Sequence, residues 1–252
     1  PMAARLSDYR LIAFDMDSTL ITIECVDEIA EFAGRKAEVA AITEAAMRGE
    51  IADYDESLRR RVALLAGLPE ATLQRVYDER VRLSPGAEAL IVAARAAGLK
   101  ILLVSGGFTF FTERLKPRLG LDYTAANTLD VADGKLTGRV LGDVVDAQGK
   151  ADWLTRVRIQ LGLDREQVIA IGDGANDLTM MAEAGEEVMP SQNTGRTGEP
   201  RCPATLRSAR NTSASSVASW LARAVRQYRE RACRERAGRT YGLESDRPSS
   251  TL

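Results

Sequence analysis

Two aspartates separated by one residue follow the first apolar segment of the chain. Leu11–Phe14 is a short apolar run, and Asp15-Met16-Asp17 comes directly after it. Where a buried strand ends, two acids at this spacing can face one cleft. One carboxylate can attack phosphorus and hold it as an acyl phosphate, and the second can protonate the leaving oxygen and later activate water. Alone, the pair is equally consistent with a solvated turn or a weak cation site.

Two further features could bind a phosphate group. Ser105-Gly106-Gly107 follows an apolar segment, and a hydroxyl with backbone N–H groups at a helix N-terminus forms a phosphate cradle. Lys150 begins a helical pattern, and its ammonium could neutralise a carboxylate nucleophile and a phosphoryl group. Each has a plainer interpretation when taken alone, namely an ordinary strand-to-helix turn and a surface lysine.

A third acidic motif is suited to a metal ion. Gly172-Asp173-Gly174-Ala175-Asn176-Asp177 places one acid where a strand ends and another four residues later. Hard oxygen ligands of this kind suit Mg²⁺. A helix cap would account for an isolated acid here, but not for the whole six-residue string.

The segments that carry these residues predict an α/β fold. The apolar runs Leu11–Asp15, Ile101–Ser105 and Val168–Asp173 each end in a polar residue and precede a helical pattern. Strands that alternate with helices indicate a parallel sheet covered on both faces. Ligands bind beyond the carboxyl ends of such strands, where Asp15, Ser105 and Asp173 lie.

Two segments depart from this alternation. The pattern from Ile21 to Leu83 is purely helical, which predicts a small helical insertion over the site. Residues 124–145 alternate in polarity, and Asp133-Gly134 is typical of a hairpin turn.

Composition excludes several classes of protein. The chain has 252 residues, a formal net charge of -2 and no histidine, so histidine-based triads and histidine zinc sites are excluded. The near-neutral charge gives no general attraction to nucleic acid or to an anionic membrane. No apolar run reaches membrane-spanning length, and residues 1–11 do not have the pattern of a secretory signal. Three cysteines without metal-binding spacing predict free thiols in a reducing cytoplasm.

Taken together, the motifs resemble those of the phosphoserine phosphatases of the haloacid dehalogenase superfamily. The resemblance covers roughly residues 9–185 and rests on particular strings, among them FDMDSTL at 14–20, VSGGF at 104–108, ANTL at 126–129, DGKLTG at 133–138 and GDGANDL at 172–178. It implies a Rossmann-like parallel sheet core of the HAD fold at 1–20 and 84–186. A small helical cap, at 21–83, would be inserted after the first strand.

The resemblance also implies roles for individual residues. Asp15 would be the nucleophile, Asp17 the general acid and base, and Lys150 the third catalytic residue. A Mg²⁺ ion would be held by the Asp15 carboxylate, the backbone carbonyl of Asp17 and Asp173, with Asp177 close by. The remaining residues would bind the substrate: Glu24 its ammonium, Arg61 its carboxylate, Ser105, Gly106 and Asn176 its phosphoryl group, and Met47 and Tyr54 the pocket wall. Tyr54 stands where relatives usually carry Phe.

The C-terminal part departs from the family. Residues 187–252 contain twelve arginines, no lysine and six acidic residues. This composition predicts a poorly ordered tail with one possible helix at 216–232, and a frameshift near residue 186 would explain it. A basic tail that binds an acidic partner is the alternative. If the tail is real, the sheet is expected to lose an edge strand.

The expected activity is hydrolysis of O-phosphoserine to L-serine and phosphate through an aspartyl-phosphate, the last step of serine biosynthesis. The enzyme would be cytoplasmic, a monomer or homodimer, with a small phosphomonoester as its partner and neither nucleic acid nor membrane. Two alternatives stay open. One is another small-molecule phosphatase, or a phosphotransferase acting on an alcohol such as homoserine. The other is a non-catalytic binding protein inactivated by its altered C-terminus.

Overall fold

A central seven-stranded sheet organises the part of the protein that the computed structural model describes, residues 6–189 and 205–207. The strands are β1 (Leu11–Phe14), β2 (Lys100–Phe108), β3 (Tyr123–Ala132), β4 (Lys135–Leu141), β5 (Val168–Ile171), β6 (Glu186–Met189) and β7 (Thr205–Arg207). Their order is β4-β3-β2-β1-β5-β6-β7. β4 and β7 are antiparallel to their neighbours, and the other pairs are parallel. The predicted α/β fold class is confirmed.

Alternation along the strands explains why the sheet is covered on both faces. In β1, Ile12 and Phe14 pack in one core layer, whereas Leu11 and Ala13 pack in the other. The first layer includes α5 (Ala87–Ala96) and α6 (Thr109–Leu119), and the second includes α7 (Ala147–Gln160) and α8 (Leu178–Met181). Burial on both faces requires the nearly continuous apolar strands that the sequence contains.

β1 lies where the direction of winding reverses. The chain adds β2 and β3 on one side of β1, and it later adds β5 and β6 on the other side. Such a switch point opens a crevice beyond the carboxyl ends of the strands. Asp15 is the first residue after β1, so it lies at this crevice.

The purely helical pattern of residues 21–83 is confirmed by four helices: α1 (Cys25–Phe32), α2 (Lys36–Met47), α3 (Tyr54–Ala63) and α4 (Ala71–Glu79). The two connections to the sheet run side by side. The Thr22 amide donates to the Arg82 carbonyl at 3.0 Å, and the Ser84 amide donates to the Leu20 carbonyl at 2.9 Å. The insertion therefore leaves and re-enters the sheet domain at one place.

The predicted hairpin is also confirmed. Ala132 pairs with Lys135 across a two-residue turn, in which Asp133 and Gly134 have φ angles of 50° and 70°. The hairpin contacts the insertion, because the Gly67 amide donates to the Leu136 carbonyl at 2.8 Å.

Two predicted boundaries differ from the structure. The helix predicted to begin at Lys150 begins at Ala147, because the Asp146 carboxylate caps the first turn by accepting from the Gly149 amide at 2.7 Å. The helical pattern from Ala175 is divided into a 3₁₀ turn at Ala175–Asp177 and the short α8.

The expected loss of an edge strand is wrong. The sheet continues past residue 186, since β6 pairs in parallel with β5 and β7 pairs with β6. Val188 is buried in the core and supplies an apolar side chain at the sheet edge. The possible helix at 216–232 lies outside the described residues. Within those residues, no helix has the length and hydrophobicity that a membrane span requires.

Packing of α7 on the sheet should contribute strongly to stability. Leu154 is fully buried, so Leu154→Ala should lower the free energy of unfolding by about 2–5 kcal/mol. Ile159 on the same helix is 65 % exposed, and Ile159→Ala should change it by no more than about 0.5 kcal/mol. Urea unfolding followed by circular dichroism measures both values, and equal effects would contradict this packing.

Candidate active site

An interrupted turn after β1 positions the two aspartates of the first motif. The Asp15 amide donates to the Ile171 carbonyl at 2.9 Å, which holds Asp15 beside the end of β5. Ser18 has a φ of 56°, a left-handed conformation that breaks the turn at Met16–Leu20. Asp15 and Asp17 are thereby held on neighbouring parts of one crevice.

A buried lysine joins the first and last motifs. Lys150 lies in the first turn of α7, and its Nζ donates to Asp15 Oδ1 at 2.6 Å and to Asp177 Oδ1 at 2.7 Å. All three side chains are almost completely buried. Asp177 is itself fixed, because its Oδ2 accepts from the Gly174 amide at 3.0 Å. Charge-assisted hydrogen bonds therefore connect residues from three separate segments.

These contacts shift the proton affinities of the group. Burial raises the pKa of Asp15 to about 7, although the nearby Lys150 ammonium opposes this shift. Burial alone would lower the pKa of Lys150, but the Asp15 and Asp177 carboxylates raise it above its usual value. Lys150 is consequently a permanent positive charge at neutral pH.

Three carboxylates lie close enough to share a cation. Asp15, Asp173 and Asp177 each offer an oxygen within 4.8 Å of the others, and Thr19 donates to Asp173 Oδ1 at 2.7 Å. One lysine leaves two negative charges uncompensated when all three carboxylates are ionised. Hard oxygen ligands with this excess charge fit a divalent ion such as Mg²⁺.

The Asp17 carboxylate is not part of this cluster. Its Oδ2 accepts from the Cys25 amide at 3.2 Å, and its Oδ1 is buried without a hydrogen-bond partner among the described residues. Burial, together with the charges of Glu24 and Asp15, raises the pKa of Asp17 well above its usual value. A carboxyl group in this condition can hold a proton and deliver it.

Ser105 and the two glycines lie in an irregular end of β2, where its register with β3 shifts between Val104 and Phe108. The prediction that these residues open a helix is wrong, because α6 begins only at Thr109. Ser105 is fully buried, and its Oγ accepts from the Gly107 amide at 2.8 Å. A Cβ atom added at Gly107 would lie 3.2 Å from Asp17 Oδ2. Glycine therefore lets this backbone approach the acid closely.

Asn127 is a buried residue to which the sequence analysis gave no role, although it lies in the ANTL string. Its Nδ2 donates to the Gly106 carbonyl at 2.8 Å, and its Oδ1 accepts from the Val145 amide at 2.8 Å. One side chain thus joins the end of β2 to the segment that leads into α7 and Lys150. Asn127 lies where β3 passes the end of β2, and knowledge of the strand order would therefore have drawn attention to it.

Glu24 and Arg61, from the insertion, lie near the same crevice. Glu24 Oε1 accepts from Ser18 Oγ at 2.6 Å, and the charges of Asp173 and Arg61 both influence its carboxylate. Arg59 and Arg60 form salt bridges with Asp55 and Glu56, respectively. Arg61 forms none within the described part of the chain. Its Nε donates to the Ser57 carbonyl at 3.3 Å, and its terminal nitrogens remain available for another anion.

The other predicted binding residues occupy distinct places. Tyr54 is the first residue of α3, and burial raises the pKa of its hydroxyl. Met47 is the last residue of α2. Asn176 lies in the 3₁₀ turn after β5, with its Oδ1 beside Gly174.

Removal of the buried ammonium should destabilise the protein. Lys150→Met leaves Asp15 and Asp177 buried without their counter-charge, so the free energy of unfolding in the presence of a chelator should fall by about 3–5 kcal/mol. Lys36→Met removes the ion pairs of a half-exposed lysine with Glu31 and Glu28 and should lower it by no more than about 1 kcal/mol. Chemical denaturation compares the two variants, and a stability of Lys150→Met equal to that of the Lys36 control would refute the assigned balance of charges.

Comparison with known proteins places this geometry in a family. The sequence profile of the haloacid dehalogenase-like hydrolases matches residues 12–182, which is more than half of the chain. A phosphoserine phosphatase of Polaromonas sp. strain JS666 is 62% identical over 188 residues, which cover 73% of this chain and 80% of that protein.

Solved structures agree with the sequence comparison. One is a phospho-aspartyl intermediate analogue of phosphoserine phosphatase, with a TM-score of 0.67 and 41% identity over 72% of this chain and 86% of that one. Another is a substrate-bound phosphoserine phosphatase complex, with a TM-score of 0.66 and 41% identity over 71% and 84% of the respective chains. The matched segment contains Asp15, Lys150 and Asp177, and the chain belongs to the haloacid dehalogenase-like hydrolase family, among its phosphoserine phosphatases.

Proposed function

We propose that this protein hydrolyses O-phosphoserine to L-serine and phosphate through an aspartyl-phosphate on Asp15. The observation that supports the proposal most directly is the buried contact of the Asp15 carboxylate with the Lys150 ammonium, beside the free oxygen of Asp17. A nucleophile, a fixed positive charge and a proton donor are the groups that phosphoryl transfer to a carboxylate requires.

The first half-reaction transfers the phosphoryl group to the enzyme. A carboxylate oxygen of Asp15 forms a bond to phosphorus while the bond from phosphorus to the serine oxygen breaks. Asp17 gives its proton to that oxygen, so the serine oxygen leaves as a neutral hydroxyl and not as an alkoxide. Lys150 offsets negative charge on the phosphoryl oxygens while the phosphoryl group is transferred to Asp15.

The second half-reaction restores the enzyme. Asp17, now ionised, takes a proton from a water molecule whose oxygen attacks phosphorus. The bond between phosphorus and the Asp15 oxygen breaks, inorganic phosphate is released, and Asp17 is protonated again. Burial of Asp17 supports both roles, because it raises the pKa of the carboxyl group and so favours uptake of a proton.

We propose Mg²⁺ as the cofactor. When bound, it supplies positive charge to the phosphoryl oxygens. The Asp15, Asp173 and Asp177 carboxylates and the Asp17 backbone carbonyl would hold it. The residual negative charge of the carboxylate cluster supports this assignment.

The serine part of the substrate is assigned to the helical insertion. Phosphoserine carries an ammonium and a carboxylate in addition to its phosphate. We propose that Glu24 binds the ammonium and that Arg61 binds the carboxylate, with Met47 and Tyr54 lining the pocket. Arg61 forms no salt bridge with the described residues, which supports its role, since Arg59 and Arg60 are already paired. Residues 21–83 would then act as a cap over a core formed by 1–20 and 84–186. L-Serine as the product would place the reaction at the last step of serine biosynthesis.

Asp15→Asn should lower phosphate release from phosphoserine by about three orders of magnitude or more, because an amide is not a nucleophile toward phosphorus. Asp143 is exposed, and Asp143→Asn should leave the rate unchanged. Rapid quenching should trap a phosphoenzyme in the parent protein and in the Asp143 variant. A phosphoenzyme in Asp15→Asn would show that another residue receives the phosphoryl group.

Arg61→Ala should reduce activity toward phosphoserine much more than activity toward a generic phosphomonoester. The value of kcat/KM for phosphoserine should fall about 30-fold or more through loss of a charged fork, whereas that for 4-nitrophenyl phosphate should hardly change. Arg60→Ala, which removes the neighbouring exposed guanidinium, should affect neither substrate. Equal losses on both substrates would remove Arg61 from recognition of the serine carboxylate.

A further inference from the structure

The hydroxyl of Tyr54 lies directly against the end of β2. A Cβ atom added at Gly106 would lie 2.2 Å from the hydroxyl oxygen and 3.2 Å from the ring carbon that bears it. Gly106 therefore accommodates the hydroxyl. Asn127 holds the same residue from the other side through the Gly106 carbonyl. A side chain of the insertion thus contacts the segment assigned to phosphoryl binding.

The charged side chains that act on the Tyr54 hydroxyl belong to both ends of the proposed substrate site. Arg61 and Lys150 favour a negative charge on it, whereas Asp17 and Asp15 oppose one. Lys150 and Asp15 mark the position of phosphorus, and Arg61 marks that of the serine carboxylate. The tyrosine ring packs against the main core, so the orientation of the side chain is supported by its surroundings.

The Tyr54 hydroxyl forms no hydrogen bond with any of the described residues. The ring would fill the same space if the hydroxyl were removed. A hydroxyl that is partly withdrawn from water gains most from a charged acceptor. A tyrosine hydroxyl is protonated near neutral pH, and burial raises its pKa further, so toward an anion it can act only as a donor.

We propose that the Tyr54 hydroxyl donates a hydrogen bond to a phosphoryl oxygen of the bound phosphomonoester, alongside Ser105 and Gly106. This inference rests on the proposed function for the place of the phosphoryl group, but not on the identity of the alcohol. The insertion would then bind both parts of the substrate. Glu24 and Arg61 would bind the serine part, and Tyr54 would bind the phosphoryl group.

The test is Tyr54→Phe, which removes the hydroxyl and keeps the ring. Three quantities are measured: kcat/KM for phosphoserine, kcat/KM for 4-nitrophenyl phosphate, and the Kd of inorganic phosphate by calorimetry. All three should worsen by a similar factor of about ten, because each ligand presents the same oxygens. Tyr77→Phe, on α4 of the insertion, is the matched control and should change none of them.

Two outcomes would overturn the inference. Unchanged values in Tyr54→Phe would mean that the hydroxyl only packs against Gly106. A loss confined to phosphoserine would place the hydroxyl on the serine part. Failure of the proposed function gives a different result, since parent protein that does not hydrolyse phosphoserine still reports on Tyr54 through 4-nitrophenyl phosphate. The Kd of inorganic phosphate reports on it without any turnover.

Discussion

The contact of the Lys150 ammonium with the Asp15 and Asp177 carboxylates is the interaction on which the rest of the site depends. Withdrawing these groups from water is costly, and only close mutual pairing offsets that cost. The ends of β1 and β5 and the start of α7 must therefore converge on one point. The same contact leaves the cluster with an excess of negative charge, which is the electrostatic requirement for a divalent ion.

Close approach of backbone to side chains gives the crevice its shape. Gly106 leaves room for the Tyr54 hydroxyl, and a Cβ atom added at Gly107 would lie 2.7 Å from the end of the Met16 side chain and 3.2 Å from Asp17 Oδ2. Asn127 then fixes this segment relative to α7 with two buried hydrogen bonds. Because α7 carries Lys150, the segment Ser105–Gly107 and the ammonium are held in one rigid frame.

The helical insertion meets this frame at its two side-by-side connections and again at the hairpin of β3 and β4. It carries Glu24, Tyr54 and Arg61, to which we assign substrate binding, whereas the groups that we assign to phosphate and metal lie at the edge of the sheet. On the proposed function, chemistry and selectivity are divided between two parts of the chain. An insertion with different charges over the same sheet edge would select a different alcohol while leaving the transfer step unchanged.

The sequence by itself determined the strands that end in Asp15, Ser105 and Asp173, the helical insertion and the hairpin, because apolar periodicity and turn residues are local properties. Only the tertiary structure decided that Asp17 stands apart from the carboxylate cluster, that Asn127 joins two segments, and that β6 and the edge strand β7 exist. It also distinguished Arg61 from its two arginine neighbours, which local pattern left equivalent. The physical reason is that these outcomes depend on contacts between segments distant in the chain, and a periodic pattern records whether a residue is buried but not against which partner.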